Sequence, residues 1–301
     1  MLDTPKRPAQ APSVEATPPY DGRVGTDARH SGWSAALEEG LGRGMMLLPA
    51  GANVVMQLAR RPVGRGVALS PESKGSLMRH PLRRTRTTLT YIAVALWGSD
   101  DQRSRLRQAV DAQHRHVRSS PGDEVAYDAV DPALQLWVAA CMFVGARQGY
   151  ETLYGGLDRA EGEALLARCA RFATTLQVPL EEWPQDLAAF EEYWRGSLAR
   201  VAFDDVTRQY LRGVVELRFW PAAVARPLAP WHRVVVGGYL EPVFRDGLGL
   251  TWSEADQRRF ERIKALARWW NRRAPRLLSR FPWNLLRHDI ARRWSRGREL
   301  L

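Results

Sequence analysis

Apolar residues recur at helical spacing along most of the chain. The segment from 132 to about 150 is apolar on nearly every side, which predicts a largely buried helix. Asp131-Pro132 supplies the cap and first-turn proline that commonly begin a helix. The apolar positions of this segment are Leu136, Trp137, Ala140, Cys141 and Val144.

Similar patterns predict further helices before and after this segment. Strand signals are scarce, because the only short β-branched run is Val234-Val235-Val236, and we expect it to be helical. The predicted fold is therefore a single all-α, multi-helix globular domain. The other predicted helices cover about 34–60, with an interruption at Pro49-Ala50-Gly51, about 80–97, 99–118, a segment from near Asp158, 185–200, 204–217 and 253–271.

Composition separates the first residues from this domain. Residues 1–30 are rich in proline and small polar residues, so we expect a disordered leader. This leader has no apolar core of a secretory signal, and no run of about eighteen uncharged apolar residues follows it. Cys141 and Cys169 lie in apolar helical patterns and are expected to be reduced. These features predict a cytoplasmic protein.

Positive charge is concentrated at the C-terminal end. Residues 258–301 contain 14 Lys or Arg and 3 Asp or Glu, so they carry the whole net charge of +11. We therefore divide the chain into a leader (1–30), a helical domain (31–290) and a basic tail (291–301). Tryptophans alternate with arginines within residues 258–301. This pattern suits a membrane surface, a nucleic acid, or a solvated arginine face whose aromatic rings pack on the domain. Of the two functional interpretations we favour peripheral membrane contact, and we expect no nucleic-acid partner.

Two helices carry side chains suited to cofactor chemistry. Arg84 and Thr88 are one helical turn apart, so they share a face. In the next helix, counting in fours from Leu106 through Val110 reaches His114, which therefore points with the apolar face. A buried imidazole with a buried cation and hydroxyl nearby fits a haem pocket. On spacing alone, however, a core histidine that is hydrogen-bonded to a neighbour is the more common explanation.

Other catalytic motifs are weak. Gly40-Leu41-Gly42-Arg43-Gly44 lacks the third glycine and the preceding strand of a dinucleotide loop. His114 and His116 are two residues apart and cannot bind one metal from one helix face. His30, His80, His232 and His288 are expected in loops or polar contexts, and no nucleophile elbow accompanies the serines.

An ordered set of short motifs resembles the rubber oxygenase (latex clearing protein) and mpaB-type oxygenase catalytic domain family, most closely its bacterial branch. The resemblance covers roughly residues 38–290, and the ordered set is more specific than any single motif. The motifs are Leu47–Ala59, Gly66-Val67, Arg83–Tyr91, Trp97-Gly98, His114–Val117, Tyr127–Pro132, Leu134–Val138, Leu176–Pro179 and Phe190–Trp194.

The resemblance implies an all-helical domain that binds one b-type haem between its helices and oxidises an apolar small molecule or polymer. His114 matches the position of the proximal iron ligand of the family. Arg84 and Thr88 match its Arg-x-x-x-Thr pair beside the haem, so they are the implied catalytic and cofactor-binding residues.

Three positions depart from the family pattern. Arg60 and Ala139 replace histidines that members often carry, and Leu69 replaces an acidic residue, with Glu72 the nearest carboxylate. The departures leave iron binding by His114 intact but remove an acid or base from its expected place. The alternatives are therefore a helical family member that has lost the chemistry, or a peripheral membrane-binding protein with a basic tail.

Overall fold

The apolar segment that follows Asp131-Pro132 forms the longest helix that the structure describes. This structure is a computed structural model that describes residues 34–69 and 76–300. The helices in these ranges are α1 (Ala35–Leu41), α2 (Ala50–Leu58), α3 (Arg61–Ala68), α4 (Pro81–Trp97), α5 (Asp100–His114), α6 (Pro132–Tyr154), α7 (Arg159–Thr174), α8 (Leu187–Leu198), α9 (Asp205–Val215), α10 (Ala222–Tyr239), α11 (Pro242–Leu248), α12 (Glu254–Arg273), α13 (Arg276–Ser279) and α14 (Trp283–Ser295).

The predicted all-α class is confirmed for the described residues. Short 3₁₀ helices cover Gly44–Leu47 and Leu180–Glu182, and the only β-type pairing described is an isolated bridge between Arg118 and Asp128. The run Val234-Val235-Val236 lies within α10, as expected. The predicted leader and Glu72 lie outside the described residues.

Helix α6 lies at the centre of the main core and packs against α1, α2, α7 and α12. Trp137 is fully buried in α6, stacks on Trp194 with 5.1 Å between ring centroids, and donates from Nε1 to the Gln57 carbonyl at 3.0 Å. The helix ends at Gly155, whose φ of 100° is the left-handed conformation that glycine adopts most easily. The predicted burial of α6 is thereby confirmed.

A second apolar cluster joins α4, α5 and α14. Its buried members include Val94 from α4, Leu106 from α5 and Ile290 from α14. Leu300 is buried in the same cluster, and α14 crosses the proposed boundary at residue 290. The last residues therefore pack against the helices that carry Arg84 and His114.

Two further predictions from the sequence can be checked in this part of the chain. Cys141 and Cys169 are both buried and unpaired, as expected. No helix within residues 34–69 and 76–300 has the length and apolar character needed to cross a bilayer.

Candidate functional site

One face of α4 changes its surroundings along the helix. Arg84, Thr88, Tyr91 and Ala95 follow one another at spacings of four, three and four residues, so they share this face. Ala95 is fully buried, and the Tyr91 hydroxyl donates to the Phe172 carbonyl at 2.5 Å. Arg84 and Thr88, two turns earlier, are exposed. This face of α4 is therefore buried in the core near the C-terminal end of the helix and exposed to solvent near its N-terminal end.

The expectation that Arg84 and Thr88 are buried is wrong, because the first turns of α4 extend beyond its core contacts. Arg84 is nevertheless surrounded by protein closely enough that desolvation lowers its pKa, with Tyr210 acting in the opposite direction. Neither Arg84 nor Thr88 has a side-chain hydrogen bond or ion pair with another described residue.

His114 is the last residue of α5, where the helix ends about four residues earlier than predicted. Leu106 is fully buried and Val110 nearly so, and His114 on the same face is half-buried, whereas His116 is exposed. The imidazole therefore points with the apolar face, as expected. Its Nδ1 atom is buried and has no hydrogen-bond partner within the described residues.

The structure brings His114 into the electrostatic neighbourhood of Arg84. Burial lowers the pKa of His114, the positive charge of Arg84 lowers it further, and Asp111 acts in the opposite direction. A lowered pKa keeps the imidazole neutral at physiological pH, and a neutral imidazole has the lone pair that a metal ligand needs.

We expect the substitution Arg84→Gln to raise the pKa of His114, because it removes one of the two causes that lower it. The folded-state pKa lies below the unfolded value of about 6.5. As the pH falls below about 6.5, the unfolded chain therefore takes up a proton at His114 before the folded protein does. The free energy of unfolding decreases over this range until the folded-state pKa is reached. A ring-proton NMR titration of His114 measures the change. Arg83→Gln is the control, and an unchanged His114 pKa in Arg84→Gln would show that the two groups are not coupled.

A chain of polar side chains supports the end of α5. Gln177 donates from Nε2 to Asp111 at 3.2 Å, and the Gln177 amide donates to the Gln135 side chain at 2.8 Å. Gln135 is itself buried and donates to the Ala129 carbonyl at 2.8 Å. The Gln135 and Gln177 motifs singled out in the sequence thus meet, and they fix the carboxylate nearest to His114.

Tyr210 of α9 is a further residue near Arg84 that the sequence patterns do not indicate. Burial raises its pKa, while the positive charge of Arg84 and the Leu77 backbone oppose that rise. No local pattern identifies Tyr210, because α9 follows α4 by more than a hundred residues. It is a neutral hydroxyl group in the neighbourhood of the Arg84 cation.

The three positions that depart from the family pattern have different surroundings. Arg60 places its guanidinium 4.7 Å from the Trp137 ring centroid, and burial lowers its pKa, followed by the positive charge of Arg200. Ala139 is fully buried, and Leu69 is half exposed at the end of α3. None of these side chains can exchange a proton near neutral pH.

His232 lies on helix α10, half-buried, so the expectation that it occupies a loop or polar context is wrong. Its Nδ1 lies 2.9 Å from the Val215 carbonyl, which fixes that nitrogen as the donor. Its Nε2 faces α2 so closely that a Cβ added at Gly51 would lie 2.9 Å from it. This contact with the backbone of α2 makes His232 a packing residue.

Two surface depressions lie apart from these residues. One, of about 560 Å³, is lined by the α11–α12 connection, including Arg245 and Trp252. The other, of about 450 Å³, is lined by Arg208 and Arg212 on the side of α9 opposite to Tyr210. Arg245 donates to the Gly237 and Leu240 carbonyls, and Arg208 to the Gly247 and Phe203 carbonyls, so these cations serve the fold.

The donor set restricts which cofactors fit. No group of three or more His, Cys, Asp or Glu residues converges within residues 34–69 and 76–300. Haem supplies four nitrogen ligands of its own and needs a single imidazole from the protein. His114, with a buried nitrogen that lacks a partner, and Arg84, a cation without a carboxylate partner among the described residues, suit an anionic cofactor of this kind.

Comparison with known proteins agrees with the motifs. Residues 38–269 match the family described as ER-bound oxygenase mpaB/B'/Rubber oxygenase, catalytic domain. Two proteins, one from Mycobacterium bovis and one from Mycobacterium tuberculosis, are each 43% identical over 256 residues, which is 85% of this chain and 100% of theirs; both are described as uncharacterized. No solved structure matches the chain. The chain therefore belongs to the mpaB and rubber oxygenase catalytic domain family.

Proposed function

We propose that this protein is a haem-dependent oxygenase that acts on an apolar organic substrate. One observation carries the proposal: Arg84, Thr88 and His114 lack side-chain partners among the described residues, and two of them, on neighbouring helices, are electrostatically coupled. Buried polar groups are almost always paired within the protein. An unpaired buried nitrogen beside an unpaired cation therefore favours a ligand that pairs with both.

His114 would hold the iron of a b-type haem. Its lowered pKa favours the neutral ring, which presents one lone pair, and the side chain lies on the apolar face at the end of α5. The carboxylate of Asp111, held by Gln177, lies in the same neighbourhood and opposes the loss of the proton. When bound, the haem would supply the oxygen chemistry, while the protein supplies orientation and charge.

Arg84 would pair with an anionic group, either a haem propionate or a reduced oxygen species. Its guanidinium has five donors, and the described residues satisfy none of them. Thr88 lies one turn further along the same face and would donate its hydroxyl hydrogen into the same space. Tyr210 provides a neutral neighbour for the cation, so the positive charge of Arg84 remains available to the ligand.

The apolar character of the substrate rests on family membership, since rubber is an apolar polymer. A second candidate function is a helical protein that has kept the fold and lost the catalysis. The surroundings of Arg60, Ala139 and Leu69 favour this candidate, because none of these side chains can act as an acid or base. The two functions make different predictions about oxygen incorporation.

Oxygen incorporation tests the proposal directly. Haem-loaded protein is incubated with ¹⁸O₂ and dispersed squalene, an apolar isoprenoid, and the products are analysed by mass spectrometry. We expect label in the organic products, and none when free haem replaces the protein. If the protein binds haem but incorporates no label from squalene or from other apolar substrates, the non-catalytic candidate is favoured instead.

We expect Thr88→Val to change the visible spectrum or the turnover of the haem-loaded protein more than its stability. The substitution removes a hydroxyl group that has no partner among the described residues and keeps the side-chain shape. Because Thr88 is exposed, the free energy of unfolding should change by no more than about 0.5 kcal/mol. Thr87→Val, which lies about 100° from Thr88 around α4, is the matched control. A Thr88→Val protein with lower stability and an unchanged spectrum would identify Thr88 as a structural residue.

A further inference from the structure

The C-terminal helices expose an unusual number of large apolar side chains. Of the sixteen such side chains in the described residues, seven lie between positions 266 and 285. Several are more than half exposed, and Leu277 reaches 73%. We call these seven the C-terminal patch: Leu266, Trp269, Trp270, Leu277, Leu278, Phe281 and Leu285. Seven exposed apolar side chains within twenty consecutive residues favour an interaction surface, whereas single exposed apolar residues do not.

The segment that carries the patch is attached to the body of the protein by hydrogen bonds and a close backbone contact. Arg43 donates to Ser279 at 2.5 Å, and the Trp283 indole donates to the Arg43 carbonyl at 3.3 Å. Gly44 packs so closely on the Phe281 backbone that any added Cβ would collide with it. Only Ala274 and Pro275 separate α12 from α13, so the two halves of the patch are neighbours along the chain. Its side chains are therefore exposed on an anchored segment.

The segment that carries the patch has charged side chains of only one sign. Residues 262–288 contain eight Lys or Arg and no Asp or Glu. Arg280 pairs with Glu39 at 3.5 Å, and Arg273 lies over the Trp269 ring. Arg272 and Arg276 are exposed and have no acidic partner within the described residues. Positive charge beside exposed leucine and tryptophan complements a surface that has anionic headgroups above an apolar interior.

We propose that the C-terminal patch docks this protein on the surface of an anionic membrane. The leucines and Phe281 enter the boundary between headgroups and acyl chains, Trp269 and Trp270 lie at headgroup depth, and the unpaired arginines bind lipid phosphate and carboxylate groups. This contact is peripheral and does not depend on the haem. A nucleic acid would use the arginines but not the leucines, and a second copy of this chain would meet like charge.

Vesicle sedimentation of the full chain tests this proposal. We expect binding to phosphatidylcholine vesicles that contain phosphatidylserine, weak binding to phosphatidylcholine alone, and a blue shift of tryptophan emission on binding. The double substitution Arg272→Gln/Arg276→Gln should weaken binding about thirtyfold. Leu277→Gln/Leu278→Gln should weaken it at least about tenfold. Deletion of the tail is unsuitable as a test, because α14 belongs to the second apolar cluster.

Matched controls change charge and apolarity elsewhere. Arg159→Gln/Arg258→Gln removes the same charge at sites outside the patch, and Val224→Gln/Leu228→Gln removes exposed apolar side chains from α10. Both control proteins should bind vesicles nearly as well as the wild type. Equal losses in test and control variants would overturn the proposal. So would binding to duplex DNA in place of vesicles, or a dimer that Leu277→Gln/Leu278→Gln dissociates in the absence of lipid.

Discussion

Replacing His114 with alanine is expected to abolish the Soret absorbance of the haem-loaded protein and to leave the helical fold intact. His114 would hold the haem iron, so its loss removes the residue that would bind the cofactor. The imidazole is half-buried and its Nδ1 has no partner among the described residues, so few favourable contacts of the folded state are lost. Absorbance after titration with ferric haem measures the first effect, and circular dichroism during heating measures the second.

His116→Ala is the matched control, because it removes an exposed imidazole two residues further along the chain. This protein should bind haem as the wild type does. Soret absorbance of equal strength in His114→Ala and the wild type would contradict the assignment of His114 as the ligand. Loss of the band in both variants would show that the effect is not specific to His114, and this result would also contradict the assignment.

Replacing Trp137 with alanine should have the largest effect on stability. The ring is fully buried, stacks on Trp194, and bonds to the Gln57 carbonyl. The ring also lies against the guanidinium of Arg60, and burial already lowers the pKa of that group. Truncation therefore leaves a cavity, an unpaired carbonyl and a cation that has lost its aromatic neighbour. We expect the free energy of unfolding to fall by about 3–5 kcal/mol.

Chemical denaturation followed by circular dichroism measures this change. Trp231→Ala, which removes a ring that is 48% exposed on α10, should change the free energy of unfolding by about 0.5 kcal/mol or less. A Trp137→Ala protein as stable as Trp231→Ala would show that α6 is not the centre of the core.

Local patterns were sufficient to predict most helices. The Asp131 side chain accepts from the Ala133 amide and so caps α6, and Ser99 forms a capping box with Gln102 at the start of α5. Such signals involve residues a few positions apart, so a sequence contains them in full. The end of α5 was placed too late, because Val117 continues the apolar spacing although the backbone turns after His114 to form the Arg118–Asp128 bridge.

The site could be predicted only in part. The spacing of Arg84 and Thr88, and the direction of His114, follow from helix geometry within one segment. The exposure of Arg84 and Thr88 in the first turns of α4 could not be predicted, because it depends on which helices pack beside those turns. Tyr210, and the link from Asp111 through Gln177 to Gln135, join segments distant in sequence, and such contacts leave no local pattern. His232 was misplaced for the same reason.

The haem content of the purified protein tests the account most directly. The wild-type chain is produced with added haem precursor, purified, and assayed for haem and protein in the same sample. We predict one haem per chain, with a Soret band that survives gel filtration and is absent from His114→Ala. A colourless wild-type protein that also fails to bind added ferric haem would contradict the proposal that Arg84, Thr88 and His114 form a haem site.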